Sequence, residues 1–254
     1  MALLSAALLH LVIGLPELNT TTKPALKPRP KYPTGVPNKF DPDGNVQHFP
    51  GNTIISHLSN STELYSSLLF LHDRLKESRF GHLYTLLPPS SWHMTIFEGV
   101  VDKIRKPGYW PSDLALDAPL ENCTALFEKK LSSFDLHTEL PYKLSIAGFQ
   151  PLKNGIALDI KPLAADNKAL RGLRDRLRDS LQLHFPHHDS YGFHVSVSYF
   201  LRYLTDEQNA ELMDFLTENS KDMPKEFELG PPEFCTFEDM FAFKRLFYLK
   251  NQDN

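Results

Sequence analysis

Two histidines stand in stretches that otherwise read as buried strands. In "SSWHMTIFEGV" His93 is followed two positions on by Thr95, and in "YGFHVSVSYF" His194 is followed by Ser196. Side chains alternate across a strand, so parity assigns their faces. Trp92, Met94 and Ile96 share one face of the first stretch, and His93, Thr95 and Phe97 share the other. In the second, Phe193, Val195, Val197 and Tyr199 share the apolar face, while His194, Ser196 and Ser198 share the opposite one. Each strand therefore offers an imidazole and a hydroxyl about 7 Å apart, opposite a side suited to packing under helices. Imidazoles titrate near pH ~6.5, so a pair can divide general acid and general base work at neutral pH. Hydroxyls can donate hydrogen bonds to an oxygen on which charge accumulates.

The bare tripeptide His-x-Ser/Thr selects little. It also occurs at His57-Leu58-Ser59 and His188-Asp189-Ser190. His57 stands where a strand runs into a helix cap, and His188 sits in the polar turn "HHDSYG". Only His93 and His194 lie within strands whose other face is apolar. The plain alternative is a pair of unrelated core histidines, with Thr95 and Ser196 present as β-favouring residues. By parity Phe97 and Ser198 join the polar faces, and Tyr199 belongs to the core.

Other clusters carry less. His184, His187, His188 and Asp189 gather in "HFPHHDSYGFH", but their irregular spacing and Pro186 describe a loop, and no metal is expected there. Arg171, Arg174 and Arg178 read as the solvated face of an amphipathic helix. P-loop, nucleophile-elbow and Rossmann glycine patterns are missing from the sequence.

The elements that must position these residues follow the order of an α+β protein. "NTIISHL", "HLYTLL" and "WHMTIFEGV" read as strands, with a helix between the first two capped at Asn60 and carrying Leu64, Leu68, Leu71 and Leu75 on one face. A second helix is expected from Leu120 to Leu131. The later half offers the strands "YKLSIAGFQP" and "GIALDIKPL" and a helix with Leu170, Leu173, Leu177 and Leu181 in register. The strand "FHVSVSYF", a helix capped by Thr205, and strands at "EFCTFEDM" and "AFKRLFYL" complete it. Before this body, residues 1–38 form an apolar N-terminus and a Pro/Lys-rich arm, and the body spans 39–254.

The chain has 254 residues, is 41% hydrophobic and carries a formal charge of −4, which argues against general affinity for nucleic-acid backbone. Cys123 and Cys235 are too few for a disulfide framework, although one bridge between them is compatible with the count. The N-terminal apolar run is short for a membrane span and lacks the basic start of a secretion signal. A cytoplasmic protein is expected, with secretion as the alternative.

Two strand-borne H-x-T/S motifs about a hundred residues apart resemble the 2H phosphoesterase superfamily. Its members include RNA 2′,3′-cyclic phosphodiesterases, RNA ligase-like proteins and snRNA 3′-end trimming enzymes. The opening "NKFDPDGNVQHFPGNTIISHL" and the form "WHMTIFEGV" further resemble an uncharacterised fungal and bacterial branch. Ser196 stands where many relatives have threonine, and it keeps the hydroxyl. The resemblance covers about Asn52 to Leu249. It implies two pseudo-symmetric lobes, each a mostly antiparallel sheet backed by helices, facing across a central cleft. It also implies His93 and His194 as catalytic acid and base, and Thr95 and Ser196 as phosphate ligands. Phe97 and Ser198 would contact substrate, with Phe97 stacking on a base. On this reading the protein is a monomeric, metal- and cofactor-independent phosphodiesterase acting on a nucleotide or RNA end, without a stable nucleic-acid complex or membrane span. The alternative is a non-catalytic nucleotide- or RNA-binding protein on the same scaffold. A hydrolase built on a metal in the His184–His194 segment is a third, weaker option.

Overall fold

Alternating β-branched and aromatic residues favour extended chain, and they build the sheets of the structure, a computed structural model that describes residues 29–252. The first strands are β1 (Gly51–His57), β2 (Tyr84–Leu86) and β3 (His93–Val101). They are followed by β4 (Tyr142–Phe149), β5 (Ala157–Pro162), β6 (His194–Ser196) and β7 (Ser198–Phe200). The last are β8 (Glu226–Leu229), β9 (Glu233–Asp239) and β10 (Ala242–Tyr248). Helices α1 (Glu63–Lys76), α2 (Leu120–Ser132), α3 (Ala164–Leu181) and α4 (Asp206–Asn219) lie between them.

The strands form a mixed α+β fold around one large antiparallel sheet, in the order β10-β9-β1-β3-β6-β5-β4-β8, with β2 and β7 as a separate small pair. The two expected lobes are thus two four-stranded halves of a continuous sheet. They are sewn together where β3 meets β6, with Met94 opposite Val195. The first half is not a continuous stretch of chain, because β9 and β10 return to it after β8 has joined the second.

Helix periodicity explains the other layer. Leu64, Leu68, Leu71 and Leu75 are all buried on α1, whose cap is Thr62 rather than Asn60, with Oγ1 accepting the Tyr65 N–H at 3.3 Å. Thr205 opens α4 with a capping box: its Oγ1 accepts from Gln208 N, and its own N–H donates to Gln208 Oε1. On α3, Leu170, Leu173, Leu177 and Leu181 are fully buried where the helix packs on β3, β4 and β5. Arg174 lies in that same stripe and is 1% exposed, so it does not belong to the solvated face assigned to it. Its position four after Leu170 and three before Leu177 dictates this.

Tyr32–Asn254 forms a compact unit. It starts seven residues before the expected boundary, because Val36 is buried, the Tyr32 carbonyl accepts the Tyr203 hydroxyl at 2.8 Å, and the Thr34 N–H donates to Asn154. The apolar N-terminus and the arm as far as residue 28 lie outside the described residues. Both cysteines are buried free thiols. Among the described residues, no helix is long and apolar enough to cross a membrane.

Candidate active site

The register of the central strands brings the two motifs together. With Met94 opposite Val195, antiparallel pairing sets His93 across from Ser196 and Thr95 across from His194. All four side chains then emerge on one sheet face, the imidazoles on a diagonal about 7–8 Å apart at the backbone. They line a cleft of about 270 Å³, shared with Lys39, Thr53, Glu98, Tyr191, Tyr199 and the apolar side chains of Phe49, Phe237 and Phe243. A second depression of about 370 Å³ continues past His194, Ser196 and Tyr199 to Asn154 and Gln150.

The two imidazoles are held in the same way. His93 Nδ1 lies 2.6 Å from the carbonyl of Ser91, and His194 Nδ1 lies 2.9 Å from the carbonyl of Gly192, in each case two residues upstream. A carbonyl only accepts, so each Nδ1 carries a proton and any proton exchanged with a substrate must pass through Nε2. The Ser91 carbonyl is supplied by a short 3₁₀ turn, Pro89–Ser91, that runs directly into β3. Burial is the main force on the first ring: it lowers the His93 pKa to about 4, against the Ser91 bond and with the help of charge on His57, His194 and Lys39. Phe243 stands edge-on to the His93 ring with centroids 4.3 Å apart. Tyr191 stands 6.1 Å from the ring of His194, and burial followed by the Glu98 charge raises its phenol above the ordinary value.

Phe97 is not in the cleft. It is fully buried on the helix side, 5.6 Å from the Phe185 ring and 5.6 Å below the Arg174 guanidinium. The cause is a bulge in β3: Ile54 is opposite Phe97 but Ile55 is opposite Thr95, so Ile96 is an extra residue that flips the strand's parity. Glu98 takes the cleft position instead, bonded to Arg174 Nη1 and His187 Nε2 at 3.0 Å each. Gly99, with φ +65°, continues the distortion where a Cβ would strike the Asn52 carbonyl.

Ser198 borders the second depression but is 2% exposed, and its Oγ accepts the Ile156 N–H at 3.2 Å. That bond occupies the hydroxyl in holding the strand rather than a substrate. Here too a bulge intervenes, since Val197 N and Ser198 N both bond the Ile156 carbonyl. Beyond it Tyr199 turns out of the core and into the cleft, where its hydroxyl accepts a hydrogen bond from Lys39 Nζ at 2.9 Å. Lys39, Glu98, Tyr191 and Tyr199 were all missed by parity. Glu98, Tyr191 and Tyr199 nevertheless lie within the two histidine-bearing stretches, and Lys39 within "NKFDPDGN", so the sequence had marked their neighbourhoods but not their faces.

The loop histidines are otherwise engaged, His187 with Glu98 and His188 with Asp175. Across the sheet from His93, its register partner His57 meets Glu233.

Residues 39–155 match the family model 2H-phosphodiest, described as a domain of unknown function (DUF1868). The matched segment contains His93 and Thr95 and ends before His194 and Ser196. Over that segment, somewhat under half of the chain, the sequence is similar to the 2H phosphodiesterase family, which supports a phosphodiesterase-like enzyme at the level of family. Among solved structures, the chain is similar to the conserved protein of unknown function ATU0111 from Agrobacterium tumefaciens, at 27% identity and a TM-score of 0.80. That similarity covers 87% of this chain and 95% of the other. TT0787 of Thermus thermophilus is more distant, at 13% identity and a TM-score of 0.42 over 80% of this chain and 100% of that one. No curated protein matches the sequence.

Proposed function

We propose that this chain is a metal-independent phosphodiesterase that opens a 2′,3′-cyclic phosphate or a related RNA or nucleotide phosphodiester. The observation that carries the reading is the matched pair of Nδ1 bonds to carbonyls two residues upstream, made by two imidazoles that line one cleft. Ring opening needs one group to take a proton from water and another to give one to the departing ribose oxygen. Burial keeps His93 neutral at pH 7, the form that accepts a proton, so His93 takes the part of the base and His194 that of the acid. Thr95 and Ser196, opposite the partner imidazoles, donate to the non-bridging oxygens as their charge grows. Lys39 adds a positive charge to the same cleft.

The test is turnover of a panel of 2′,3′-cyclic nucleotides and cyclic-phosphate-ended oligonucleotides, with and without EDTA. We expect activity that survives chelation and falls about 10²–10⁴-fold in each of His93→Ala and His194→Ala. Thr95→Val and Ser196→Ala should each cost about 10²–10³-fold in kcat. Binding without turnover across the panel would leave the non-catalytic nucleotide-binding reading in its place. Activity abolished by EDTA would overturn the metal-independent scheme.

A further inference from the structure

A third imidazole stands beside the proposed pair, and a buried carboxylate holds it. His57 is the direct register partner of His93 across β1 and β3, so the two side chains leave the sheet on the same face. Their ring centroids are 6.2 Å apart at an interplanar angle of 71°. With Phe243 at 4.3 Å, the His93 ring has edge-on neighbours in both. Behind His57, Glu233 reaches over from β9. Its carboxylate oxygens lie 3.1 and 3.0 Å from His57 Nδ1, and one of them also accepts the His57 backbone N–H at 3.2 Å.

Glu233 is 3% exposed, an expensive place for a carboxylate, and it is satisfied from several sides. Arg245 Nη1 lies 3.1 Å from its second oxygen, and the Cys235 thiol stands 4.0 Å away. Burial alone would raise this carboxyl. Bonds and charge from His57, with Arg245 behind, bring it below its ordinary value instead. Burial, with Glu233 beside it, pushes the Cys235 thiol up to about 12, which keeps it protonated. His57 also lines a depression of about 670 Å³, together with Arg245, Tyr248 and Glu228. A row of ionisable groups, Arg245, Glu233, His57, His93 and His194, thus crosses one face of the sheet.

We infer that His57, anchored by Glu233, is a positioning residue for His93: it stands against the reacting ring and sets a second titratable charge beside it. This rests on the reading of His93 as the base. The register explains why no other residue serves as well, because the cross-strand neighbour on a shared face is the closest that two strands can offer. While His57 carries its proton, it opposes one on His93 and preserves the lone pair the reaction needs. Lys39 and His194 press on His93 with the same sign from the other sides of the cleft. Glu233 offsets the His57 charge. A hydrophobic neighbour would pack as well but could not do this.

The cluster His57, Glu233 and Cys235 has donor atoms within 4.8 Å of one another, a spacing that would also suit a metal ion. The Arg245 guanidinium already takes part of the carboxylate a cation would need, which favours the charge-setting role.

The experiment follows the His93 ring directly by NMR titration in the full chain without substrate, in wild type, His57→Gln and His57→Phe. The phenylalanine keeps a ring against His93 and removes the charge together with the bond to Glu233, whereas the glutamine removes the charge and keeps a donor, so one of the two variants should remain folded. We expect the His93 midpoint to rise by roughly half a unit or more in each folded variant, from the loss of a like charge at this distance. The acid limb of the kcat/KM profile should move with it. An unchanged midpoint in the folded variants would overturn the inference. So would metal analysis that finds one tightly held zinc ion per chain, lost on His57→Gln. Because the titration needs no substrate, it reads the same whether or not the protein turns over a phosphodiester.

Discussion

His93 shows how strongly surroundings decide what a side chain is. Its covalent chemistry is that of any histidine, yet burial lowers its pKa from 6.5 to about 4. The same shift has a consequence for stability. Between these values the unfolded chain binds the proton and the folded chain does not, so stability rises with pH across this window. The contribution is fully present above about pH 6.5 and is lost as pH falls through about 4, to an extent of roughly 3 kcal/mol at most. Urea unfolding of wild type at pH 4.5 and 7 should therefore show a steeper loss than His93→Gln. An identical pH dependence in the two would mean that His93 is not held neutral by the fold. The types and spacing of His93, Thr95, His194 and Ser196 were legible in the sequence. Their shared carbonyl anchors were not, because a backbone bond two residues back leaves no trace in side-chain identity.

Elements explain where that legibility stopped. Parity is a reliable guide only while a strand keeps its period of two, and one extra residue reverses every face beyond it. The bulge at Ile96 sends Phe97 to the helices and Glu98 to the cleft, and the bulge at Val197 turns Tyr199 outward. Gly99 is the nearest thing to a warning, and it sits after the reversal. Helices were more transparent, since their apolar stripe is repeated every turn. That same stripe contains Arg174, which reaches through the core to the Ile96 carbonyl at 2.7 Å and to Glu98 at 3.0 Å, and lies 4.0 Å over the Tyr191 ring. The arginine ties the bulge of β3 to α3 and the cleft wall. Truncating one partner of a buried pair strands the other, so Arg174→Ala should destabilise the protein by about 3–5 kcal/mol. Chemical denaturation reads this. A loss near that of an ordinary surface substitution would show that the pair does not hold the bulge.

At the scale of the molecule, two segments a hundred residues apart become neighbouring strands, and the site exists only because they do. If the imidazoles act on one phosphorus, they should behave as a unit. The double variant His93→Ala/His194→Ala should then be no slower than about tenfold below the worse single variant, whereas independent contributions would multiply. Measured kcat/KM for the four forms distinguishes these outcomes. The α+β class, the helix stripes and the four motif residues were determined by local pattern, because periodicity and residue chemistry are properties of short stretches. The tertiary structure alone decided that the expected lobes are halves of one sheet, that β9 returns to set Glu233 behind His57, and that Phe97 leaves the cleft while Glu98 and Tyr199 enter it. These depend on register between strands distant in sequence, and register is fixed by the packing of the whole sheet rather than by any one segment.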